Sequence, residues 1–230
     1  KKRPDSSVPD SVKAERDIVY AKYGKREVKL DLYLLKKPAS ERIPCIVVIT
    51  GGGWTSGDKT RFAAVASHLA DRGFAAACID YRLLPEVEFP APVMDCNAAV
   101  RWVRANAAKH GIDPDRIGAM GGSAGGHLAA MLGTSHNEPK LEGDGGNPGV
   151  SSRVQAVVGM ATPTDMTRFA DRTKLNKEMA ALVSPVTHVS KESAPLLLLH
   201  GTKDGTVPMQ QSELLLEKYK KAGASAELVK

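Results

Sequence analysis

The chain has 230 residues, of which 42% are hydrophobic and 25% charged, enough apolar mass for the core of one large domain. Its formal net charge is +6, but the basic residues are scattered and only 5% of residues are aromatic, which argues against nucleic-acid binding. No apolar run approaches the length of a membrane-crossing helix, and the three cysteines, Cys45, Cys78 and Cys96, lack zinc spacing and read as small buried hydrophobes.

Residues 1–16 are polar with two prolines and predict a flexible lead-in to a single domain over residues 17–230. Glu27 to Leu35 alternates, with Val28, Leu30, Leu32 and Leu34 on one face and Lys29, Asp31 and Tyr33 on the other. That pattern predicts a half-buried antiparallel strand near a sheet edge. Cys45 to Thr50 is a continuous apolar run rich in β-branched residues, as a central parallel strand requires, and it leads straight into Gly51-Gly52-Gly53-Trp54. A helix is expected from about Arg61 to Arg72, a strand from Phe74 to Asp80, and a proline-punctuated loop from Tyr81 to Pro92. Val93 to His110 predicts one long helix stopped by Gly111.

Arg116 to Met120 reads as a short strand, and His127 to Leu132 continues as a helix. Between them lies Gly121-Gly122-Ser123-Ala124-Gly125. Ser135 to Arg153 is a polar, glycine-rich excursion, Val154 to Met160 a buried strand, and Thr164 to His188 a weakly helical, irregular stretch. Leu196 to His200 is again a strand, and Met209 to Ala222 an amphipathic helix before Gly223. Ala226 to Lys230 opens a final strand that is expected to be cut short. Strands alternating with helices predict an α/β fold, a mostly parallel central sheet with helices on both faces. Ligands of such sheets bind beyond the carboxyl ends of the strands.

Three stretches fall at such ends. Gly121 to Gly125 matches G-x-S-x-G, the turn in which a serine sits in a strained strand-to-helix junction with its hydroxyl exposed. Ser123 is therefore the candidate nucleophile; the alternative is a plain glycine-rich turn. Gly51-Gly52-Gly53 lacks the Gly-Lys-Ser/Thr of a phosphate loop. Its amides at Gly52 and Gly53, with that of Ala124, are the candidate donors to an oxyanion. Trp54 beside them is the candidate substrate contact. Asp204, after the Leu196–His200 strand, is the candidate acid, with Asp165 as its rival. A serine hydroxyl needs a base, yet no histidine follows Asp204. His68, His110, His127, His136, His188 and His200 each read as structural, so the base is expected beyond Lys230.

Together these motifs resemble a known family. The ordered set is Gly51-Gly52-Gly53-Trp54, Gly57-Asp58-Lys59, Asp80-Tyr81-Arg82-Leu83 with Pro85 and Phe89-Pro90, Asp113-Pro114-Asp115-Arg116-Ile117, Gly121 to His127, and His200-Gly201-Thr202-Lys203-Asp204. From about Asp17 onward the chain resembles the α/β-hydrolase carboxylesterases, in the branch near hormone-sensitive lipase and the acetylxylan and feruloyl esterases. The resemblance implies a domain without a large cap, Ser123 as nucleophile, Asp204 as acid, a histidine beyond the last strand, and no metal or organic cofactor. It implies short acyl esters, free or on polysaccharide, as substrates. Two departures stand out: Thr50 replaces the histidine that usually precedes the triple glycine, and Asp165 to Ser184 is short. The rival readings are an amide or formamide hydrolase of the same fold and a non-catalytic binding module. Oligomeric state and compartment are not legible.

Overall fold

The computed structural model describes residues 8–38, 40 and 42–230. Its strands are β1 (Val12–Tyr23), β2 (Arg26–Leu35), β3 (Ile43–Ile49), β4 (Ala75–Ile79), β5 (Ile112–Gly122), β6 (Ala156–Met160), β7 (Leu196–Leu199) and β8 (Ala226–Val229). They form one sheet in the order β1-β2-β4-β3-β5-β6-β7-β8. β2 runs antiparallel to β1 and β4, and every pair from β4 to β8 is parallel. The helices are α1 (Ala63–Asp71), α2 (Ala91–Ala105), α3 (Ala107–His110), α4 (Ala124–Thr134), α5 (Pro139–Glu142), α6 (Ala170–Thr173), α7 (Lys177–Leu182), α8 (Pro185–His188) and α9 (Gln210–Ala222). Among the described residues no helix is long and apolar enough to cross a membrane.

The sheet's centre follows from its residues. Cys45, Val47, Val48 and Ile49 of β3 are fully buried, because neighbouring strands pair with both edges and helices cover both faces. The larger core lies under α2, α4 and α9, and includes Leu30, Val47, Ile117, Leu128, Leu198 and Tyr219. The opposite core is smaller. There α1 covers Tyr33, Val48, Ala76 and Cys78, while Met120, Val158, Leu197 and Leu199 are only half-buried. The three cysteines are free and buried.

Three expectations are corrected. The lead-in expected over residues 1–16 gives way to β1 at Val12; residues 1–7 lie outside the described residues. Two register shifts, between Glu15 and Ile18 and between Val19 and Ala21, scramble the alternation that would have marked this edge strand. β2 is buried on both faces rather than half-buried, because α1 packs over Tyr33 while Arg16 and Lys59 cover Asp31. The Asp31 carboxylate is satisfied there by Arg16 Nη1 at 2.9 Å and Lys59 Nζ at 3.3 Å. The long helix expected over residues 93–110 divides at Asn106, whose side chain donates back to the Trp102 carbonyl at 2.9 Å.

The motif residues outside the strand ends hold the loops in place. Lys59 Nζ also reaches Asp17 Oδ1 at 2.9 Å, and the Lys59 amide donates to Asp80 Oδ1 at 2.8 Å. Asp95 is fully buried, and Arg82 pairs with it through Nε, Nη2 and its own amide at 2.8 to 3.1 Å. A buried carboxylate with this many donors is a clamp, and it fixes the β4–α2 loop against α2.

Candidate active site

The register brings the three candidate stretches to one level. Gly121 of β5 pairs with Ile49 of β3 and Gly159 of β6, and Met160 pairs with Leu199 of β7. The strand ends therefore place the Gly51 turn, Ser123, Ala161 and His200 side by side. Ser123 and the β7 turn stand two strands apart, about 10 Å at the usual inter-strand spacing.

Ser123 occupies φ 54°, ψ −122° between β5 and α4. For a residue with a side chain that geometry costs roughly 1–3 kcal/mol and persists only where the surroundings enforce it. Here the surroundings are visible. A Cβ on Gly121 would lie 2.8 Å from the Ile49 carbonyl oxygen, and one on Gly125 would lie 2.7 Å from the Thr50 carbonyl oxygen. Gly121 and Gly125 are thus pressed against each other and against the end of β3. The Ser123 amide donates to the Met160 carbonyl at 2.8 Å, which removes it as an oxyanion donor and ties the turn to β6.

The amides of Gly52, Gly53 and Ala124 have no acceptor among the described residues. Gly52 is at φ 131°, where its missing Cβ makes room for the Ser56 carbonyl. Gly53 and Trp54 continue the turn at φ 62° each, and Thr55 and Ser56 close it by donating to the Gly52 carbonyl at 3.2 and 3.1 Å. Ala124 opens α4, so its amide carries the positive end of the helix dipole.

Trp54 is placed differently from its expected position as a substrate contact. It is 1% exposed, and its indole N–H donates to His127 Nδ1 at 3.1 Å. An indole is only a donor, so His127 Nδ1 accepts and Nε2 carries the proton, which it gives to the Val183 carbonyl at 2.7 Å. Three segments are bolted together by one neutral imidazole: the Gly52–Trp54 turn, α4 one turn past Ser123, and the residue following α7. The sequence marks His127 as packed, but no local pattern pairs residue 54 with 127 or 183.

Burial pushes the His127 pKa from 6.5 down to about 4. Between those values the unfolded chain binds a proton that the folded one refuses. The contribution of neutral His127 is therefore complete above pH 6.5 and is lost as pH falls toward about 4, by up to ~3 kcal/mol. Urea unfolding at about pH 7 and about pH 4.5 should show this fall in the parent protein and a smaller one in His127→Gln. Equal falls would mean other groups dominate the acid response.

The Asp204 carboxylate stands in the turn after β7. The backbone amides of Val207 and Thr206 donate to Oδ1 and hold its pKa below the usual range, while Oδ2 lies 3.7 Å from His200 Nε2. Its rival Asp165 caps the 3-10 turn at Met166–Phe169, accepting from Thr167 N, and pairs with Arg168. The remaining histidines are held elsewhere. His200 Nδ1 meets Ser212 Oγ at 2.7 Å and Nε2 meets the Val207 carbonyl at 2.8 Å. His188 meets the Leu182 carbonyl, His110 faces Glu15, and His136 faces Glu192. His68 is exposed on α1.

The arrangement has recognisable counterparts. Residues 30–219 match the BD-FAE family. A probable carboxylic ester hydrolase of Mycobacterium tuberculosis, LipM, is 35% identical over 221 residues, covering 85% of this chain and 49% of LipM. Among solved structures, a truncated form of a carbohydrate esterase from gut microbiota gives a TM-score of 0.85 at 30% identity, covering 100% of this chain and 90% of that one. Esterase 2 of Thermogutta terrifontis, phosphorylated by paraoxon, gives a TM-score of 0.81 at 34% identity, covering 96% and 82%. The chain spans about half the length of the curated relatives it matches.

Proposed function

The chain belongs to the BD-FAE family of α/β-hydrolase-fold esterases, and from that premise we propose that it is the core of a serine carboxylesterase acting through an acyl-enzyme on Ser123. The observation that carries the reading is the strained Ser123 elbow beside the uncommitted amides of Gly52, Gly53 and Ala124. Ser123 Oγ attacks the ester carbonyl carbon and passes its proton to a histidine. The three amides hold the oxyanion. The alcohol leaves with that proton, and water then releases the acid and restores the serine.

In this reading Asp204 orients the histidine. The six histidines of the chain are engaged elsewhere or lie on α1. The same engaged histidines favour a second reading, a non-catalytic module that binds esters without cleaving them. The protein in its full encoded length should hydrolyse p-nitrophenyl acetate, and should do so with higher kcat/KM than N-formyl anilides or short peptides. Binding of the acetate ester without turnover would select the module instead. Higher efficiency on the formyl anilide would move the assignment to an amidase.

A further inference from the structure

His127 joins the candidate nucleophile to the oxyanion turn. Its backbone N–H donates to the Ser123 carbonyl at 3.0 Å, at the start of α4. Its ring accepts from the indole of Trp54 at 3.1 Å, and Trp54 directly follows Gly52 and Gly53. One fully buried residue therefore reaches from the serine to the turn that bears two of the three uncommitted amides.

The other supports of the turn lie at its ends. Gly52 and Gly53 have no side chains to pack, and the bonds from Thr55 and Ser56 to the Gly52 carbonyl close the turn on itself. The Tyr81 hydroxyl donates to the Thr50 carbonyl at 3.1 Å before the turn, and the Leu84 amide to the Trp54 carbonyl at 2.8 Å after it. Trp54 itself stands at φ 62°, a region that disfavours a residue with a side chain. Such a conformation persists only where the surroundings enforce it. Here they include the bond to Nδ1 and the edge-on rings of His127 and Phe89, at 5.4 and 6.0 Å between centroids. Nδ1 accepts because the Val183 carbonyl, 2.7 Å from Nε2, keeps the proton on that other nitrogen.

We propose that His127 is a positioning residue for the oxyanion amides: by tethering Trp54 to α4 it sets the distance from the Gly52 and Gly53 N–H groups to Ser123 and to the Ala124 N–H. The inference rests on the hydrolase reading above and adds to it a residue that acts without touching substrate. The oxyanion develops only in the transition state, so amides moved out of place cost rate and leave substrate binding alone. His127 takes no proton in the reaction, because both its nitrogens are spent within the fold.

The test is run on the protein in its full encoded length. Asparagine and leucine share one branching pattern, but only asparagine offers an acceptor near the place of Nδ1. His127→Leu should lower kcat for p-nitrophenyl acetate by about 10²-fold with little change in KM, and His127→Asn should recover at least about tenfold of that loss. The preference for the ester over its thiono counterpart, whose sulfur is the weaker acceptor, should shrink in His127→Leu and return in His127→Asn. Trp54→Phe removes the same bond from the other side and serves if His127→Leu does not fold. A folded His127→Leu or Trp54→Phe with the parental kcat and ester preference, or equal losses in the leucine and asparagine variants, overturns the proposal. Fluorophosphonate labelling of Ser123 in the parent separates the two levels: labelling with unchanged variant rates sinks the positioning by His127 alone. Without labelling the hydrolase reading fails, and the tether is judged by the amide proton resonances of Gly52 and Gly53. These should move in His127→Leu and stay near their parental positions in His127→Asn; resonances unmoved by leucine overturn the proposal.

Discussion

Replacing Ser123 by alanine is expected to end covalent labelling by a fluorophosphonate and to lower kcat/KM for p-nitrophenyl acetate by at least about 10³-fold. The hydroxyl is the atom that forms the acyl bond, so what survives is the background given by binding and the oxyanion amides. The fold should not suffer, because the Ser123 amide, not its side chain, makes the 2.8 Å bond to Met160. Ser123→Gly sharpens the result. The backbone at φ 54°, ψ −122° is one that glycine adopts freely. The glycine variant should be equally inactive but more stable than the alanine variant by about 1 kcal/mol in chemical denaturation, after relief of strain is offset by the greater freedom of the unfolded chain. Turnover retained in either variant would remove Ser123 from the reaction. Equal stability of the two would mean that the elbow stores no strain.

What the sequence makes legible here is what is local. The run Cys45 to Thr50 and the turn Gly121 to Gly125 announce their conformations within a few residues, so the central strand, the elbow and the glycine turn are readable without tertiary knowledge. β1 is not. Its two register shifts, with Asp17 at φ 56°, break the period that identifies strands. Burial on both faces of β2 is hidden for a different reason. Asp31 and Tyr33 look like a solvent face until Arg16 and Lys59, from other segments, supply their partners.

The site divides in the same way. The backbone donors follow from turn geometry, but the work of Trp54 does not. A tryptophan after a glycine turn at a strand end reads as a ligand contact, whereas His127 and Phe89 bury it as the support of that turn. Asp165 to Ser184 reads only as short and irregular. In the structure that segment is a 3-10 turn and short helices, α6 and α7, and its Leu175 and Met179 pack against the larger core.

Gly125→Ala is expected to damage the molecule more than any change of its size on an exposed surface. Gly125 is the second residue of α4, and helix propensity alone would favour alanine there by about 1 kcal/mol. Packing decides the sign. The added methyl would overlap the Ile49 carbonyl and lie 2.7 Å from the Thr50 carbonyl oxygen, both of them backbone atoms at the end of a buried central strand. Backbone cannot swing aside as a flexible side chain can, so either α4 tilts away from β3 or the strand end moves. The net loss should be about 2 kcal/mol or more in urea denaturation. Either movement also carries the Ala124 amide away from the Gly52–Gly53 turn, so fluorophosphonate labelling should slow even in the fraction that remains folded. Gly205→Ala is the control for stability, since a Cβ there meets nothing within 4 Å, and its change should stay within about 0.5 kcal/mol. A Gly125→Ala protein as stable and as quickly labelled as the parent would show that the elbow is not held closed by the contact between α4 and β3, and the strain at Ser123 would then need another source.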